Sequence, residues 1–298
     1  LSQTAYIDEI LDKHQLVDAN PVLTPYRSGV HIDTATGEVS DAITAQYLSI
    51  VGSLGWLANM TRPDLATIHN LLAQYNSKPT AGHLTAARHV LQYLVGTRNH
   101  GISFTSLPTM YYGTYNYYPI THADANWGPQ DASQPNRQHT DTPIELPLFA
   151  SRSITGFVTF LAGGPIQWKS KRQDVTAMSS AEAEIYATNE AAKYLLTLSN
   201  SIHDLQHRDL FFPPGTATTI YNDNRSCVDW CKGTTTKRLR HMQMWENIIR
   251  ENIEWDFLTV KHIPGHQNLA DILTKEMKDT QHFIEIRDQL VTARPTIF

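Results

Sequence analysis

Residues 156–170 have the sequence GFVTFLAGGPIQWKS, in which two strand-like runs flank a short turn. The run at 156–161 is rich in β-branched and aromatic residues, which favour β-strands, and the run at 165–170 contains Ile166 and Trp168. The residues between them, AGG at 162–164, are typical of a tight turn between paired strands. The segment therefore predicts a β-hairpin.

The segments around this hairpin alternate between strand-like and helix-like patterns. A strand leads into ADANW at 123–127, and a long helix rich in Ala and Leu begins at Ser180. Further strands are predicted at 218–222 and 256–262, with helices between and after them. Three strands followed by alternating helices and strands predict an α/β fold with a mixed sheet.

The first hundred residues have a helical pattern instead. Apolar residues at helical spacing predict helices over 4–16, 42–60, 61–76 and 81–95, and Pro and Gly separate them. From about residue 101 the composition changes to β-branched and aromatic residues. We therefore predict two domains, a mainly α-helical one at 1–110 and an α/β one at 111–298.

The composition is that of a folded protein, with 41% hydrophobic and 18% charged residues, and it lacks an apolar run long enough to span a membrane. The N-terminal LSQTAYIDEI has no signal-peptide features, so we expect an intracellular protein that is not secreted. Its start at Leu suggests a piece of a longer chain. The net charge of −5 argues weakly against nucleic acid, although a local basic patch suffices for phosphate contacts. Cys227 and Cys231 are expected to be reduced thiols rather than metal ligands.

Four carboxylates in the second half fall where the chain changes direction. Asp124 lies on a strand, Glu184 in the second turn of the long helix, Asp223 at the end of the next strand and Asp271 at the start of a late helix. A single carboxylate at such a position is commonly a helix cap or a strand end. The same positions, however, are where α/β sheets form their binding and catalytic sites. Mg²⁺ takes oxygen ligands, and two such ions can support phosphodiester hydrolysis. The set predicts a site for divalent metal.

Five motifs occur in order in this half: THADANW, SRSITGFVTFLAGGPIQWKSKRQ, SSAEAEIYA, IYNDNRSC and HIPGHQNLADILTK. Together they resemble the ribonuclease H domain of Ty1/copia-type retrotransposon polyproteins. In the first half, LSQTAYIDEIL, YLSIVGSLGWLANMTRPDLA and HLTAARHVLQYLVGT resemble the thumb and connection that follow the polymerase palm in these polyproteins.

The resemblance implies a ribonuclease H-like mixed five-stranded sheet with flanking helices, preceded by a mainly α-helical thumb and connection segment. It also implies endonucleolytic cleavage of the RNA strand of RNA–DNA hybrids with two Mg²⁺ ions, Mn²⁺ being an alternative. The expected partners are the hybrid and the rest of the polyprotein, not a membrane, in a cytoplasmic particle or the nucleus.

The resemblance assigns metal binding to Asp124, Glu184, Asp223 and Asp271. SSAEAEI holds two acids that cannot share one helix face, and we favour Glu184 over Glu182. His262 or His266, with His262 slightly favoured, would help protons and product leave. Two basic clusters are expected to contact phosphates: Lys169, Lys171 and Arg172, and Lys237, Arg238, Arg240 and His241. Trp168 is expected to pack beneath the first cluster rather than stack on a base.

The chain departs from the family pattern at several positions. Asn126 replaces a second strand acid, the loop at 128–150 is longer than usual, and we place His122 on the strand face opposite Asp124. The sequence contains no consecutive Asp-Asp pair, so no polymerase activity is expected. The alternative function is a catalytically silent remnant that binds nucleic acid or serves a structural role. Another metal-dependent nuclease or an integrase on the same fold is a weaker alternative.

Overall fold

The computed structural model describes residues 1–26, 32, 35–104, 109–111, 114–116, 119–127, 152–204, 217–233 and 243–293. The chain divides into two compact units of interleaved segments. The helical unit comprises Leu1–Tyr115, Phe160–Lys169 and Lys275–Phe298, and the sheet unit comprises Asn116–Thr159 and Ser170–Thr274. The two units are defined by contacts, whereas the predicted division at residue 110 follows a change in composition, and that division stays a prediction.

The helical unit begins with helices, two of which start at side-chain caps. The described α-helices are α1 (Thr4–Lys13), α2 (Asp41–Met60), α3 (Ala66–Ala73) and α4 (Ala81–Thr97). The Ser40 hydroxyl accepts the Ile43 N–H at the start of α2, and Thr80 and His83 form a reciprocal capping box at the start of α4. Pro63 starts a 3₁₀ turn before α3, because proline suits the first helical position.

A buried ionic network lies in the core of the helical unit. The Arg62 guanidinium donates to both carboxylate oxygens of Asp64, at 2.9 and 2.8 Å, and to the Thr97 carbonyl at 3.0 Å. The Tyr93 hydroxyl donates to Asp64 Oδ2 at 2.7 Å, and the Phe283 ring packs edge-on against Tyr93 with centroids 6.1 Å apart. Phe283 belongs to a helix near the C-terminus, so this core joins the first hundred residues to the C-terminal segment of the same unit.

The strands include short pairs and one five-stranded sheet. The strands are β1 (His100–Gly101), β2 (Thr109–Tyr111), β3 (Thr114–Asn116), β4 (Ile120–Asn126), β5 (Ile154–Leu161), β6 (Gly164–Arg172), β7 (Thr218–Asn222), β8 (Leu258–His262) and β9 (Thr292–Ala293). The large sheet has the order β6-β5-β4-β7-β8, in which β4 and β7, and β7 and β8, are parallel. Ala162 and Gly163 have φ of 50° and 76°, and two positive φ values in a two-residue turn fit the twist of a β-hairpin. The predicted hairpin is therefore present.

Helices flank this sheet. The remaining α-helices are α5 (Ser180–Asp204), α6 (Arg225–Cys231), α7 (Gln243–Glu254) and α8 (Thr280–Leu290), the last belonging to the helical unit. The core of the sheet unit brings together β-strand and helix residues: Ala123, Phe157, Ile185, Ala191, Ala192, Leu195, Ile220, Cys227, Val228, Trp230, Cys231, Ile249, Leu258 and Val260. No α-helix in the described part of the chain is both long and apolar enough to cross a membrane.

The mixed five-stranded sheet with flanking helices, preceded by a helical segment, confirms the predicted fold class. One predicted element differs in type. The late helix predicted to carry Asp271 near its start is a 3₁₀ helix at Leu269–Leu273. Asn268 Oδ1 accepts the Ala270 N–H at 3.2 Å, and the Thr274 backbone N–H donates to the Asp271 carbonyl at 3.2 Å. These local bonds satisfy the backbone without a longer α-helix.

The face predicted for His122 is wrong. His122 Nδ1 accepts the Leu269 N–H at 3.4 Å, and Asp124 accepts the Thr274 hydroxyl, so both strand residues face the same segment. Strand residues two positions apart share a face, and the alternation therefore places His122 beside Asp124 rather than opposite it.

Candidate metal centre

Three aspartates that are distant in sequence come together in the sheet unit. Single carboxylate oxygens of Asp124, Asp223 and Asp271 all lie within 4.8 Å of one another. Asp124 and Asp271 are buried, and Asp223 is half-buried. The spacing is suited to a cation that several carboxylates share.

The sheet register explains this meeting. Strand β4 carries Asp124 on a buried, mainly apolar strand, and parallel β7 ends immediately before Asp223. His122 on β4 pairs with Tyr221 on β7. Asp124 and Asp223 each come two residues after these partners, so they lie at equivalent positions in the two neighbouring segments. Asp271 comes from the 3₁₀ helix that packs against β4.

Glu184 lies next to this group on α5. Its Oε2 accepts the Asn222 amide at 2.9 Å, and the same amide lies 3.3 Å from the Ala123 carbonyl oxygen and 3.3 Å from the Thr188 hydroxyl. Burial raises the pKa of the Glu184 carboxyl well above its ordinary value, and the Asp124 carboxylate raises that pKa further. A cation in the centre would oppose both effects, because it favours the charged carboxylate.

Glu182 has a different environment from Glu184. Its Oε2 accepts the Met178 backbone N–H at 2.8 Å, and its own N–H donates to the Ser179 hydroxyl at 3.2 Å. The Glu182 carboxylate is therefore engaged at the start of α5, where an acid also interacts favourably with the helix dipole.

The two candidate histidines lie on the chain that passes Asp223. His262 is the exposed last residue of β8, and His266 is exposed in the 3₁₀ helix Gly265–Gln267. A side-chain carbon placed on Gly265 would lie 3.2 Å from Asp223 Oδ2, so glycine allows the loop to approach the aspartate closely. This proximity is compatible with either histidine acting at the site.

The first basic cluster lies on edge strand β6. Lys169 and Arg172 are half-buried, and exposed Lys171 forms an ion pair with Asp174 at 2.8 Å. The Trp168 indole N–H donates to the Ala58 carbonyl at 2.6 Å, an interaction within the helical unit. The second cluster, Lys237, Arg238, Arg240 and His241, lies outside the described residues, as does the loop at 128–150.

Three polar side chains around the centre were not singled out from the sequence. Asn222 bonds to Glu184, Thr274 to Asp124, and Asn268 Nδ2 to the Ala123 carbonyl at 3.0 Å; all three are fully buried. Each sits one to three residues from a candidate acid. Only Asn222 had a signal in the sequence, because it lies directly beside Asp223 at the end of an apolar strand.

The donors of the centre are carboxylate oxygens, which are hard ligands of the kind that Mg²⁺, Mn²⁺ and Ca²⁺ prefer. Like charges held this close repel one another, and a divalent cation is the partner that would relieve the repulsion. The aspartate triad therefore fits a divalent metal ion.

Comparison with known proteins gives relatives over nearly the whole chain. The chain is 31% identical over 283 residues to the retrovirus-related Pol polyprotein from transposon RE1 of Arabidopsis thaliana, which covers 94% of this chain and 17% of the relative. It is 31% identical over 278 residues to the corresponding polyprotein from transposon RE2 of the same plant, covering 93% of this chain and 17% of the relative. The chain thus spans about a sixth of the length of these relatives. No protein-family model matches it.

Among solved structures, the chain is similar to a crystal structure of LC11-RNase H1 in complex with an RNA/DNA hybrid. The two share 16% sequence identity over 52% of this chain and 93% of that chain, with a TM-score of 0.35.

Proposed function

Because the chain belongs to the copia/Ty1-type family of retrotransposon Pol polyproteins, we propose that its sheet unit is a metal-dependent ribonuclease H. The reaction is endonucleolytic hydrolysis of the RNA strand of an RNA–DNA hybrid. The sequence has no consecutive Asp-Asp pair, so we propose no polymerase activity for this chain.

The observation that carries the proposal is the aspartate triad within 4.8 Å, with Glu184 beside it. Gathering acidic groups in a buried position destabilises a fold, and such clusters are typical of functional sites. The acids come from β4, α5, the end of β7 and the 3₁₀ helix, so the whole sheet unit must fold to assemble them.

In the proposed reaction, Asp124, Asp223, Asp271 and Glu184 would hold two Mg²⁺ ions. Bound divalent ions activate water and stabilise the leaving oxygen in phosphodiester hydrolysis. Asn222 orients Glu184, because its amide donates to one carboxylate oxygen at 2.9 Å and leaves the other for a cation. His262 or His266 would move a proton at an imidazole nitrogen as product leaves.

The substrate and its surroundings are part of the same proposal. Lys169, Lys171 and Arg172 on β6 would contact phosphates of the hybrid, as would the cluster at 237–241, because duplex backbones are bound mainly through charge. The relatives are polyproteins of transposons, and we propose that this chain acts beside the rest of its polyprotein, in a cytoplasmic particle or the nucleus.

The test is cleavage of a hybrid labelled on either strand, with Mg²⁺ and with chelator. The wild-type protein should cut the RNA strand only when Mg²⁺ is present, and Asp223→Asn should abolish cutting. Asp256→Asn is the matched control: Asp256 is an exposed acid of the same unit at φ 54°, a conformation that Asn also adopts. This control should cut like wild type.

Each other outcome rejects part of the proposal. A wild-type protein that binds hybrid without cutting would support the silent nucleic-acid-binding module instead. An equal loss of RNA cleavage in Asp223→Asn and Asp256→Asn would show that cleavage does not depend specifically on the aspartate triad. Cutting of DNA, or of both strands, would reject the ribonuclease H assignment and favour another nuclease on this fold.

The histidine role needs a separate comparison of His262→Ala with His266→Ala. The variant that removes the proton-transferring group should lower turnover by at least about a hundredfold, the usual contribution of acid–base catalysis, with hybrid binding unchanged. Wild-type turnover in both variants would reject a proton-transfer role for either histidine.

A further inference from the structure

Thr274 connects two of the three aspartates in the metal centre. Its side chain is fully buried, and its hydroxyl donates to Asp124 Oδ2. Its backbone N–H donates to the Asp271 carbonyl at 3.2 Å. One residue therefore bonds to the carboxylate of one acid and to the backbone of another.

Two hydrogen bonds that involve side chains join the start of the 3₁₀ helix to β4. Asn268 Nδ2 donates to the Ala123 carbonyl at 3.0 Å, and the Leu269 N–H donates to His122 Nδ1 at 3.4 Å. The His122 side chain is fully buried, so this bond lies in the interior of the sheet unit.

The end of the same segment is held by Asn126. Asn126 Nδ2 donates to the Thr274 carbonyl at 3.4 Å. Asn126 follows Asp124 by two residues on β4, so the strand that carries the aspartate also holds the Thr274 backbone.

Gly156 on neighbouring β5 allows Thr274 to pack this closely. A side-chain carbon at Gly156 would lie 2.5 Å from Thr274 Cγ2 and 3.1 Å from the Ala270 carbonyl oxygen. Contacts of 2.5 Å between carbons do not occur, so any larger residue would displace Thr274. The absence of a side chain at Gly156 is therefore required for Thr274 to occupy its place beside Asp124.

We propose that Thr274, held by Asn126, is a positioning residue for Asp124. The hydroxyl bond commits Oδ2 and fixes the carboxylate plane, which leaves Oδ1 in position to bind a cation shared with Asp223 and Asp271. This inference rests on the proposed function in one respect, that the acids hold a divalent ion. Groups that hold metal ligands in place typically contribute tenfold or more to metal affinity.

The experiment measures Mn²⁺ affinity by calorimetric titration of the full chain, without any nuclease assay. Thr274→Val removes the hydroxyl at nearly constant shape, and we expect its Mn²⁺ dissociation constant to rise about tenfold or more. Thr274→Ser keeps a hydroxyl and should keep the wild-type affinity. Unfolding midpoints without metal report whether each variant is folded.

Thr159→Val is the matched control. Thr159 is a buried threonine on β5 whose hydroxyl bonds to Thr121 at 2.8 Å, and the described structure gives that hydroxyl no bond to an acid. It should bind Mn²⁺ like wild type even though it also loses a buried hydrogen bond. An equal loss of affinity in Thr159→Val and Thr274→Val would overturn the positioning role.

The remaining outcomes are also decisive. Unchanged Mn²⁺ affinity in Thr274→Val overturns the inference. If that variant does not fold, Asn126→Ala replaces it at a half-buried position, and only weaker Mn²⁺ binding would support the inference. A wild-type protein that binds Mn²⁺ but does not cut hybrid rejects the proposed nuclease alone, and the same titrations still decide the role of Thr274. A wild-type protein that binds no Mn²⁺ rejects both.

Discussion

The helical unit and the sheet unit each bury acidic side chains, but they surround those acids in opposite ways. In the helical unit, Asp64 accepts two bonds from Arg62, at 2.9 and 2.8 Å, and one from Tyr93 at 2.7 Å. In the sheet unit, Asp124, Asp223 and Asp271 have carboxylate oxygens within 4.8 Å of one another. One unit places a positive charge against its acid, and the other places acids together.

The contrast separates a structural from a functional use of charge. Burial alone would raise the pKa of Asp64, but the Arg62 guanidinium and the bonds from Arg62 and Tyr93 hold that pKa below its ordinary value. Burial and the Asp124 charge instead raise the pKa of Glu184. An acid whose charged form is favoured stabilises the fold, whereas an acid whose charged form is disfavoured by burial and by a like charge is typical of functional sites.

The largest expected effect is on cleavage by Asp124→Asn. Loss of one metal-binding carboxylate removes several kcal/mol of transition-state stabilisation, or about a thousandfold in rate. The unfolding free energy of the metal-free protein should not fall, because the substitution removes a charge from a repulsive group. Single-turnover cleavage and urea unfolding measure the two quantities. A variant that cuts within tenfold of wild type would contradict the assignment.

The helical unit should respond in the reverse sense to Asp64→Asn. The substitution leaves the Arg62 guanidinium buried without its full counter-charge, which costs about 3–5 kcal/mol of unfolding free energy. Asp8→Asn is the control in the same unit, because the Asp8–Arg98 pair is exposed, with its atoms 3.4 Å apart, and such pairs contribute about 0–1 kcal/mol. Urea unfolding of both variants compares them. Equal losses of unfolding free energy in the two variants would show that the buried network stabilises the fold no more than the exposed pair does.

Mg²⁺ should stabilise the folded protein only when the aspartates of the sheet unit are intact, whatever the state of the buried acid in the helical unit. A ligand that binds only the folded state at a hundred times its dissociation constant stabilises it by about 2.7 kcal/mol. Thermal unfolding with Mg²⁺ and with chelator should reveal this gain in wild type and in Asp64→Asn, but not in Asp124→Asn. A similar gain in Asp124→Asn would mean that Mg²⁺ binds elsewhere on the protein.

The smallest effect concerns pH and Asp64. Because the folded pKa of Asp64 is lowered, its contribution is fully present above the unfolded value of about 3.9 and is lost as the pH falls through the folded pKa. The stability difference between wild type and Asp64→Asn should therefore be constant near neutral pH and shrink in acid below about pH 4. Urea unfolding across this range measures it. A difference that persists unchanged in strong acid would contradict the charge pairing.

The sequence contained enough information to predict the architecture. The hairpin at 156–170 has its turn residues between two apolar runs, and both features are local. Asp124 is conspicuous because it interrupts an apolar strand, and Asp223 because it directly follows one; the parallel pairing of these strands then brings the two acids together. Periodicity could not identify the 3₁₀ helix at Leu269–Leu273, because local side-chain bonds rather than an apolar stripe determine where it begins and ends.

Other features depend on contacts between residues far apart in sequence. Thr274 is separated by 150 residues from its partner Asp124. Nothing in ADILTK indicates that the threonine, rather than the neighbouring lysine, bonds to the strand acid. The role of Gly156 is equally hidden, because a strand glycine matters here only for what packs against it.

The central claim is that Asp124, Asp223 and Asp271 form a metal centre, and a crystal structure of the full chain grown with Mn²⁺ tests it most directly. We predict anomalous difference peaks about 2 Å from carboxylate oxygens of all three aspartates, the distance typical of small divalent cations. The absence of a peak among these aspartates, in crystals whose Mn²⁺ concentration supports cleavage of the hybrid, would contradict the account.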